Sequence, residues 1–280
     1  MFKRLHIALN QREANVDYFR GIAIVMVILF HFDHILSFGF LGVDVFFVIS
    51  GYLVSRALLN EVRENKKTEW KTFFIKRLTK IIPSYYFFLI VGLIFARLFL
   101  LENYSEQVIS FNSLPSYLFF YMNYDLSFNW SFEMAWSLCV EEHFYLFLVL
   151  IFIILTYTGI VKNRLNLLGS TIIFFIILSN IFKVLGHFNG WEVEMASHMR
   201  MDALFIGVYL AYQEINLERI FRLNWVLFIL GILFFTGIVL IYLFHNSLFF
   251  ENVLLHSLTP ISVYLMLRGS KNLDLKPLFF

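Results

Sequence analysis

The sequence predicts an all-α fold, a polytopic transmembrane helix bundle of about eight spans. Of its 280 residues, 60% are hydrophobic and only 15% are charged, and the mean hydropathy is +0.74, outside the range of ordinary soluble domains. Apolar segments near the ~20 residues needed to cross a bilayer lie at residues 18–36, 40–59, 81–101, 136–157, 167–185, 199–212, 225–244 and 253–267. A further apolar piece, 114–122, contains Pro115 and is too short to cross.

The basic residues orient these spans. If the N-terminus lies inside, most of the 22 lysines and arginines fall on cytoplasmic segments, as short basic loops of membrane proteins do. We therefore expect both termini to be cytoplasmic. No loop offers enough room for a separate soluble domain, so residues 1–280 are predicted to form a single membrane-embedded domain.

Residues 19–53 carry the first candidate for chemistry. Arg20 and His31 are eleven residues apart, which places both on one face of a helix, about 16 Å apart along its axis. Ionisable groups at membrane depth are expensive, so a function is the default hypothesis for them. His31 is either a structural histidine bonded to a neighbouring helix or a general base that takes a proton near neutral pH.

Three further ionisable residues predict a polar cavity. Asp44 lies near the start of the second predicted span and needs a cation, water or a cavity; either Arg200 or His31 is its candidate partner. Arg200 and Asp202 are two residues apart, so they do not face each other on a helix. Each is expected to find its partner on another span.

The segment 61–80 holds the densest cluster of positive charge, including Lys76, Arg77 and Lys80. Such clusters most often set topology and bind anionic membrane lipids. The alternative is a cytoplasmic site for a phosphorylated ligand, because arginine forks match the geometry of phosphate.

The fourth predicted span begins with AWSLCVEEHFYL, which contains Trp136, Ser137, Glu141 and Glu142. Acidic residues at the start of a helix are favoured by the helix dipole, which by itself explains the two glutamates. Cys139 and His143 are one turn apart, the spacing of a thiol nucleophile and its base, but no other feature of the sequence requires that chemistry.

Five motifs together resemble one family, the acyltransferase-3 family of integral membrane O-acyltransferases. They lie within residues 18–210 and follow the order of the family. The motifs are Arg20 followed after ten residues by His31, then LGVDVFFVISGYL, FFIKRLTKIIPSYY, WSLCVEEHFYL and RMDALFIG.

The resemblance implies an enzyme of the bacterial inner membrane that moves an acyl group from cytoplasmic acyl-CoA, most simply acetyl-CoA, to a hydroxyl of an extracytoplasmic carbohydrate. The acceptor would be a surface glycan such as the O-antigen of lipopolysaccharide, or a lipid-linked sugar; no metal and no nucleic acid is implied. His31 would be the catalytic base and Glu141 would orient it or the acceptor. Arg20, Arg77 and Lys80 would hold the donor, with Lys76 beside them. Lys80 stands where the family usually has an arginine. The sequence ends after the eighth predicted span, where the family commonly continues through further helices, so we expect a truncated or minimal member.

Two other classes of function remain open at this stage. A transporter or flippase would also carry ionisable residues in its spans, but it should show paired inverted halves with broken spans, and the sequence shows no such pairing. The third interpretation is an inactive membrane scaffold. Release of CoA from labelled acetyl-CoA in the presence of an acceptor separates the first class from the other two.

Overall fold

The computed structural model describes residues 2–63, 70–99, 113–125, 130–157, 165–217, 224–245 and 247–273. Within these ranges the chain forms helices and no β-strand, which confirms the predicted all-α fold. The α-helices are α1 (Phe2–His31), α2 (Gly42–Arg63), α3 (Trp70–Phe99), α4 (Leu114–Leu118), α5 (Trp136–Tyr157), α6 (Leu165–Asn189), α7 (Ser197–Leu217), α8 (Asn224–Phe244) and α9 (His256–Gly269).

The described residues contain five helical segments that are long and apolar enough to cross a membrane. They are Ala14–His31, Gly39–Asn60, Trp136–Ile154, Leu167–Asn189 and Asn224–Phe244. The other three predicted spans fall in α3, whose apolar part is the shorter Ile81–Phe95, in the charged helix α7, and in α9 with its 14 residues. The chain is thus a multi-pass membrane protein, and the count of eight spans and the cytoplasmic termini stay predictions.

The first predicted span, 18–36, is wrong at its outer end. Helix α1 ends at His31, and the next residues form a turn in which Asp33 and His34 have φ angles of 54° and 50°. Left-handed backbone is uncommon outside glycine, although Asp and His adopt it more readily than most residues. His31 is therefore the last residue of α1 and does not lie inside a longer helix that continues to residue 36.

Helices α2 and α7 form the centre of the bundle. They approach closely because each carries a glycine at the contact: a Cβ on Gly51 would overlap the carbonyl oxygen of Leu204, and one on Gly207 would overlap that of Val48. Small residues allow such close packing between membrane helices. The other helices surround this pair, with α6, α9 and α5 against α7 and α1 against α2.

The short piece near residue 114 does not cross the bundle, as predicted. It forms the five-residue helix α4, and the side chains of α3 hold it in place. Tyr85 and Tyr86 donate hydrogen bonds to the carbonyl oxygens of Tyr117 and Leu118, at 2.8 and 2.7 Å. Helix α4 is thereby fixed against α3.

Helix α9 follows a single turn of π-helix, Phe250–Leu255. Such turns are rare and are found mostly inside α-helices at functional sites. In this chain the π-turn is followed at once by the buried residue His256. At the other end of α9, Asn15 of α1 donates to the carbonyl oxygen of Ser270 at 2.7 Å, so the first and last described helices are linked.

Candidate active site

Two cavities lie between α1, α2 and α5. The first, which we call the Arg20 cavity, has a volume of about 470 Å³. Its polar lining consists of Arg20, Ser50, Arg77 and Glu141, and α2 supplies most of its apolar wall. It thus combines two guanidinium groups with one carboxylate, on the side of the protein that the basic segments predict to be cytoplasmic.

Tyr145 connects the polar groups of the Arg20 cavity. Its hydroxyl donates to Oε2 of Glu141 at 2.7 Å and accepts a hydrogen bond from the hydroxyl of Ser50. The guanidinium of Arg77 lies 4.0 Å from the centre of the Tyr145 ring, within the range of a cation–π contact. The buried Tyr145 side chain therefore contacts both Glu141 and Arg77. Tyr145 was not predicted as a site residue, although its spacing of one helical turn from Glu141 was an available signal.

The second cavity, which we call the His31 cavity, has a volume of about 420 Å³. Its ionisable lining comes from four parts of the chain: the end of α1, the loop before α7, α7 itself and the start of α9. These residues are His31, His34, Glu194, Arg200 and His256, and Trp136 and Ser137 of α5 line the cavity with them. Three imidazoles, one carboxylate and one guanidinium thus face a common space.

The ring of His31 is fixed in one tautomer. Its Nδ1 lies 2.8 Å from the carbonyl oxygen of Val27, one turn earlier on α1. Because a carbonyl oxygen only accepts hydrogen bonds, Nδ1 must carry the proton, and the neutral ring keeps its lone pair on Nε2. His31 is exposed and lines the cavity, so this lone pair belongs to a group that a ligand can reach.

Asp44 is buried and binds two residues that line the His31 cavity. Nη2 of Arg200 lies 2.7 Å from Oδ1 of Asp44, and Nδ1 of His256 lies 3.0 Å from Oδ2. The predicted pairing of Asp44 with Arg200 is therefore confirmed. His256 is the partner that sequence reasoning missed, and only the rule that ionisable residues in membrane spans deserve a functional hypothesis could have drawn attention to it.

Asp202 faces a different helix. Nζ of Lys183 on α6 lies 2.5 Å from Oδ2 of Asp202, which confirms that Arg200 and Asp202 find partners on separate helices. Lys183 also donates to the carbonyl oxygen of His256 at 3.1 Å and to Oγ of Ser257 at 3.3 Å. Asp202 lines neither of the two cavities described above.

The other residues that the sequence suggested for the site take no part in the contacts described above. Glu142 lines neither cavity, and its Oε1 is buried with no hydrogen-bond partner in the described part of the chain. The side chains of Lys76 and Lys80 lie outside the described residues. His143 is hydrogen-bonded to Oγ of Ser197 at 2.7 Å, while Cys139 is fully buried.

The two cavities are about one helical turn apart. On α2, Val43 lines the His31 cavity and Phe46 lines the Arg20 cavity. On α5, Ser137 lines the His31 cavity and its neighbour Leu138 lines the Arg20 cavity. One turn of helix rises about 5 Å. Arg20 and His31 themselves are eleven residues apart on α1, so a molecule held at Arg20 has to span about 16 Å to bring its end to His31.

No group of three or more His, Cys, Asp or Glu side chains that could hold a metal ion is found among the described residues. The ionisable groups that line the two cavities are imidazole, carboxylate and guanidinium groups. Such groups transfer protons and stabilise negative charge.

Comparison with known proteins identifies relatives of this chain. O-acetyltransferase OatA of Staphylococcus aureus is 29% identical over 75% of this chain and 36% of its own length. Peptidoglycan O-acetyltransferase OatA of Listeria monocytogenes is 34% identical over 47% of this chain and 23% of its own length. A putative O-acetyltransferase of Staphylococcus aureus, SACOL0978, is 30% identical over 70% of this chain and 34% of its own length.

The chain spans about a third of the length of the two Staphylococcus aureus relatives and less of the Listeria monocytogenes relative. No solved structure matches it. The model of one protein family, described as an acyltransferase domain, matches residues 13–278. That match includes both cavities and every described helix that lines them. The chain therefore belongs to the acyltransferase-3 family, as its five motifs predicted.

Proposed function

We propose that this chain is a membrane O-acetyltransferase that moves an acetyl group from cytoplasmic acetyl-CoA to a hydroxyl of an extracytoplasmic glycan. The observation that carries the proposal is the pair of cavities on the same three helices. One presents two arginines and the other presents histidine lone pairs, with about one helical turn between them. Such a pair of sites suits a donor whose charged end stays on one side of the membrane.

The Arg20 cavity is the proposed donor site. Arginine binds phosphate through planar, charge-assisted hydrogen bonds, so Arg20 and Arg77 are suited to the phosphates of CoA. Lys76 and Lys80, on the same helix as Arg77, are proposed to add point charges. Glu141 is assigned to this donor end because it lines the Arg20 cavity and is held by Tyr145.

His31 is the proposed general base. Its Nε2 takes the proton of the acceptor hydroxyl as that oxygen attacks the carbonyl carbon of the thioester. The tetrahedral intermediate then collapses, the carbon–sulfur bond breaks, and the CoA sulfur leaves with the proton from His31. The products are the acetyl ester and free CoA, and the imidazole returns to its starting tautomer, which the bond to Val27 holds in place.

The acceptor is proposed to be a glycan of the bacterial cell wall. The name of the Listeria monocytogenes relative refers to peptidoglycan, and none of the relatives named above refers to lipopolysaccharide. We therefore favour peptidoglycan or its lipid-linked precursor over the O-antigen that the family resemblance first suggested.

The test uses the purified chain in lipid nanodiscs, with labelled acetyl-CoA and a soluble fragment of peptidoglycan glycan. We expect CoA release that depends on the acceptor. His31→Ala should lower the rate by about 10²–10⁴, the usual contribution of a general base, without loss of the protein from the membrane. His245→Ala is the matched control, because His245 is exposed and lines neither cavity.

If the wild-type protein releases no CoA with any acceptor, the result contradicts the proposed transferase activity. It then favours the interpretation as a transporter or as an inactive scaffold. Retained activity in His31→Ala would refute the role of this residue alone. Arg77→Gln adds an independent check on the donor site, because it should raise the KM for acetyl-CoA much more than it lowers kcat.

A further inference from the structure

Asp44 connects two walls of the His31 cavity. This carboxylate is 0% exposed, and its two partners, Arg200 and His256, are 1% and 5% exposed. The two partners come from α7 and α9, yet both line the cavity. A single buried carboxylate therefore fixes the positions of a guanidinium and an imidazole at the same site.

Arg200 has donors to spare at this site. Its Nη2 is bonded to Asp44, but Nε and Nη1 are buried and have no hydrogen-bond partner in the described part of the chain. The guanidinium carbon lies 5.8 and 5.7 Å from the ring centres of Phe47 and Trp136, within the range of cation–π contacts. Buried donors without a partner are costly, so an oxygen of a ligand in the cavity is their natural acceptor.

His256 offers the complementary group. A carboxylate accepts and does not donate, so Nδ1 of His256 carries the proton in its bond to Asp44. The neutral ring then has its lone pair on Nε2, where it can accept a hydrogen bond. Asp44 thus gives the cavity a fixed donor from Arg200 and a fixed acceptor from His256.

The rest of the cavity favours a carbohydrate ring as the occupant. Glu194 adds a second acceptor, while Phe30, Phe40 and Trp136 contribute aromatic surface. Sugar rings combine hydroxyls that need directional partners with C–H faces that pack on aromatic rings. The volume of about 420 Å³ lies in the range of small-ligand sites, in which a few directional polar groups stand in a largely apolar lining.

We propose that Arg200 and His256 form the acceptor-sugar subsite and that Asp44 is its positioning residue. Nε2 of His256 accepts a hydrogen bond from a hydroxyl next to the one that is acetylated, and Arg200 donates to an oxygen substituent of the same ring. These two contacts determine which hydroxyl faces His31. The assignment of the sugar as acceptor rests on the proposed function, whereas the binding of the sugar can be measured without it.

The test measures whether an N-acetylglucosamine tetrasaccharide binds saturably to the chain in nanodiscs in the absence of acetyl-CoA. The change in tryptophan fluorescence reports the binding. His256→Asn keeps an N–H donor for Asp44 but lacks Nε2, and Arg200→Lys keeps the charge beside Asp44 but lacks Nε, Nη1 and the planar geometry of the guanidinium. We expect each variant to raise the Kd at least tenfold. His245→Asn, outside the cavity, should leave the Kd unchanged.

The proposal is overturned if wild-type protein shows no saturable binding, or if both variants bind the sugar as wild type does. If neither variant folds, wild-type protein labelled with ¹⁵N-arginine provides the test, since a buried guanidinium N–H signal must move on addition of the sugar. Its failure to move overturns the proposal. A chain that binds the sugar but releases no CoA contradicts the proposed function and leaves the subsite standing.

The position of the product ester separates this proposal from a purely structural role. His256→Asn should spread acetylation over more than one hydroxyl of the sugar ring, as read by NMR of the product. A variant that is slower but equally selective would show that His256 supports the fold and does not choose the hydroxyl.

Discussion

Arg200 and Asp202 stand two residues apart on α7, and each forms an ion pair with a different helix. Asp202 pairs with Lys183 of α6 at 2.5 Å, and Arg200 pairs with Asp44 of α2 at 2.7 Å. All four side chains are buried. We call Lys183–Asp202 the closed pair and Asp44–Arg200 the open pair.

The two pairs differ in how their cations are satisfied. The ammonium of Lys183 has three N–H donors, and it finds three acceptors, on Asp202, His256 and Ser257. Arg200 uses one of its three nitrogens on Asp44, and the other two have no partner among the described residues. Of the two pairs, the open pair alone lines one of the two cavities described above, through Arg200.

This difference shows how one membrane helix can serve two purposes. Residues two apart point to different sides of a helix, so α7 turns one ion pair towards α6 and the other towards α2 and the cavity. A buried ion pair is weak evidence for stability, because desolvation offsets its attraction. A pair with spare donors at a cavity is better explained by a ligand, and a pair with all donors of its cation bonded is better explained by the fold.

Lys183→Met should have the largest effect on stability. It leaves the Asp202 carboxylate buried without its cation, and breaking a buried pair in this way typically costs about 3–5 kcal/mol. We expect a loss of that size in the free energy of unfolding, measured by denaturant titration in detergent micelles with circular dichroism.

The control for this loss lies on the same helix. Leu185 is 45% exposed, so Leu185→Met should change the free energy of unfolding by no more than about 0.5 kcal/mol. If Lys183→Met behaves like Leu185→Met, the closed pair does not hold α6 to α7 and the comparison between the pairs fails.

Gly51→Ala should weaken the open pair and spare the closed one. The added Cβ would overlap the carbonyl oxygen of Leu204, so α2 has to move away from α7, and overpacking of this kind typically costs about 1–3 kcal/mol. Asp44 lies on α2 and would move with it, whereas Lys183 and Asp202 lie on α6 and α7. We expect the sugar affinity of the His31 cavity to fall together with stability.

Gly237→Ala is the matched control for this substitution. Gly237 lies in α8, where an added Cβ meets nothing within 4 Å, so the better helix propensity of alanine should make the change neutral or slightly stabilising. An equal loss of sugar affinity in both variants would mean that the close contact of α2 and α7 does not position Asp44.

Local sequence patterns were enough for the helices and for one of the two buried ion pairs compared above. Hydropathy predicted the helical segments, because a chain in lipid must satisfy its backbone within each helix. The spacing of Arg200 and Asp202 correctly placed their partners on other helices, and Asp44 was named in advance as a partner of Arg200. The end of α1 was predicted wrongly, since the left-handed turn at Asp33 and His34 leaves no signal in hydropathy.

Lys183 and His256 were not predicted as members of the network. Their contacts join residues that are far apart in sequence: His256 is 212 residues from Asp44, and Lys183 is 73 residues from the His256 carbonyl that it binds. No local motif encodes such separations, because they depend on which helices become neighbours. The boundary between the two cavities was hidden for the same reason, since it appears only when α2 and α5 are placed side by side.

Arg200→Lys should separate function from stability. The lysine ammonium can still neutralise Asp44, so we expect little change in the free energy of unfolding, but it lacks the planar fork of the guanidinium. The KM for the acceptor glycan should rise about tenfold, equivalent to about 1.4 kcal/mol, while the KM for acetyl-CoA stays the same. Steady-state kinetics with each substrate varied in turn measures both constants.

Arg268→Lys is the control for that exchange, because Arg268 binds Gln213 and lines neither cavity. It should leave both KM values unchanged. If Arg200→Lys raises the KM for acetyl-CoA as much as the KM for the glycan, Arg200 contacts the donor. The assignment of the donor to one cavity and the acceptor to the other would then be wrong.

The double substitution Lys183→Met with Asp202→Leu should have the smallest effect of all. Replacing both members of a buried ion pair by apolar residues of similar volume is often neutral or stabilising, since no uncompensated charge remains. We therefore expect the free energy of unfolding of the double variant to lie within about 1 kcal/mol of wild type, far above that of Lys183→Met alone. With Asp202→Leu alone as the fourth member, the double-mutant cycle gives the coupling energy of the pair. Acetyl transfer should survive as well, because neither residue lines a cavity. A double variant that is stable but inactive would show that the closed pair acts on the site through the Lys183 contact to the His256 carbonyl, and the two pairs would then have to be treated as one network.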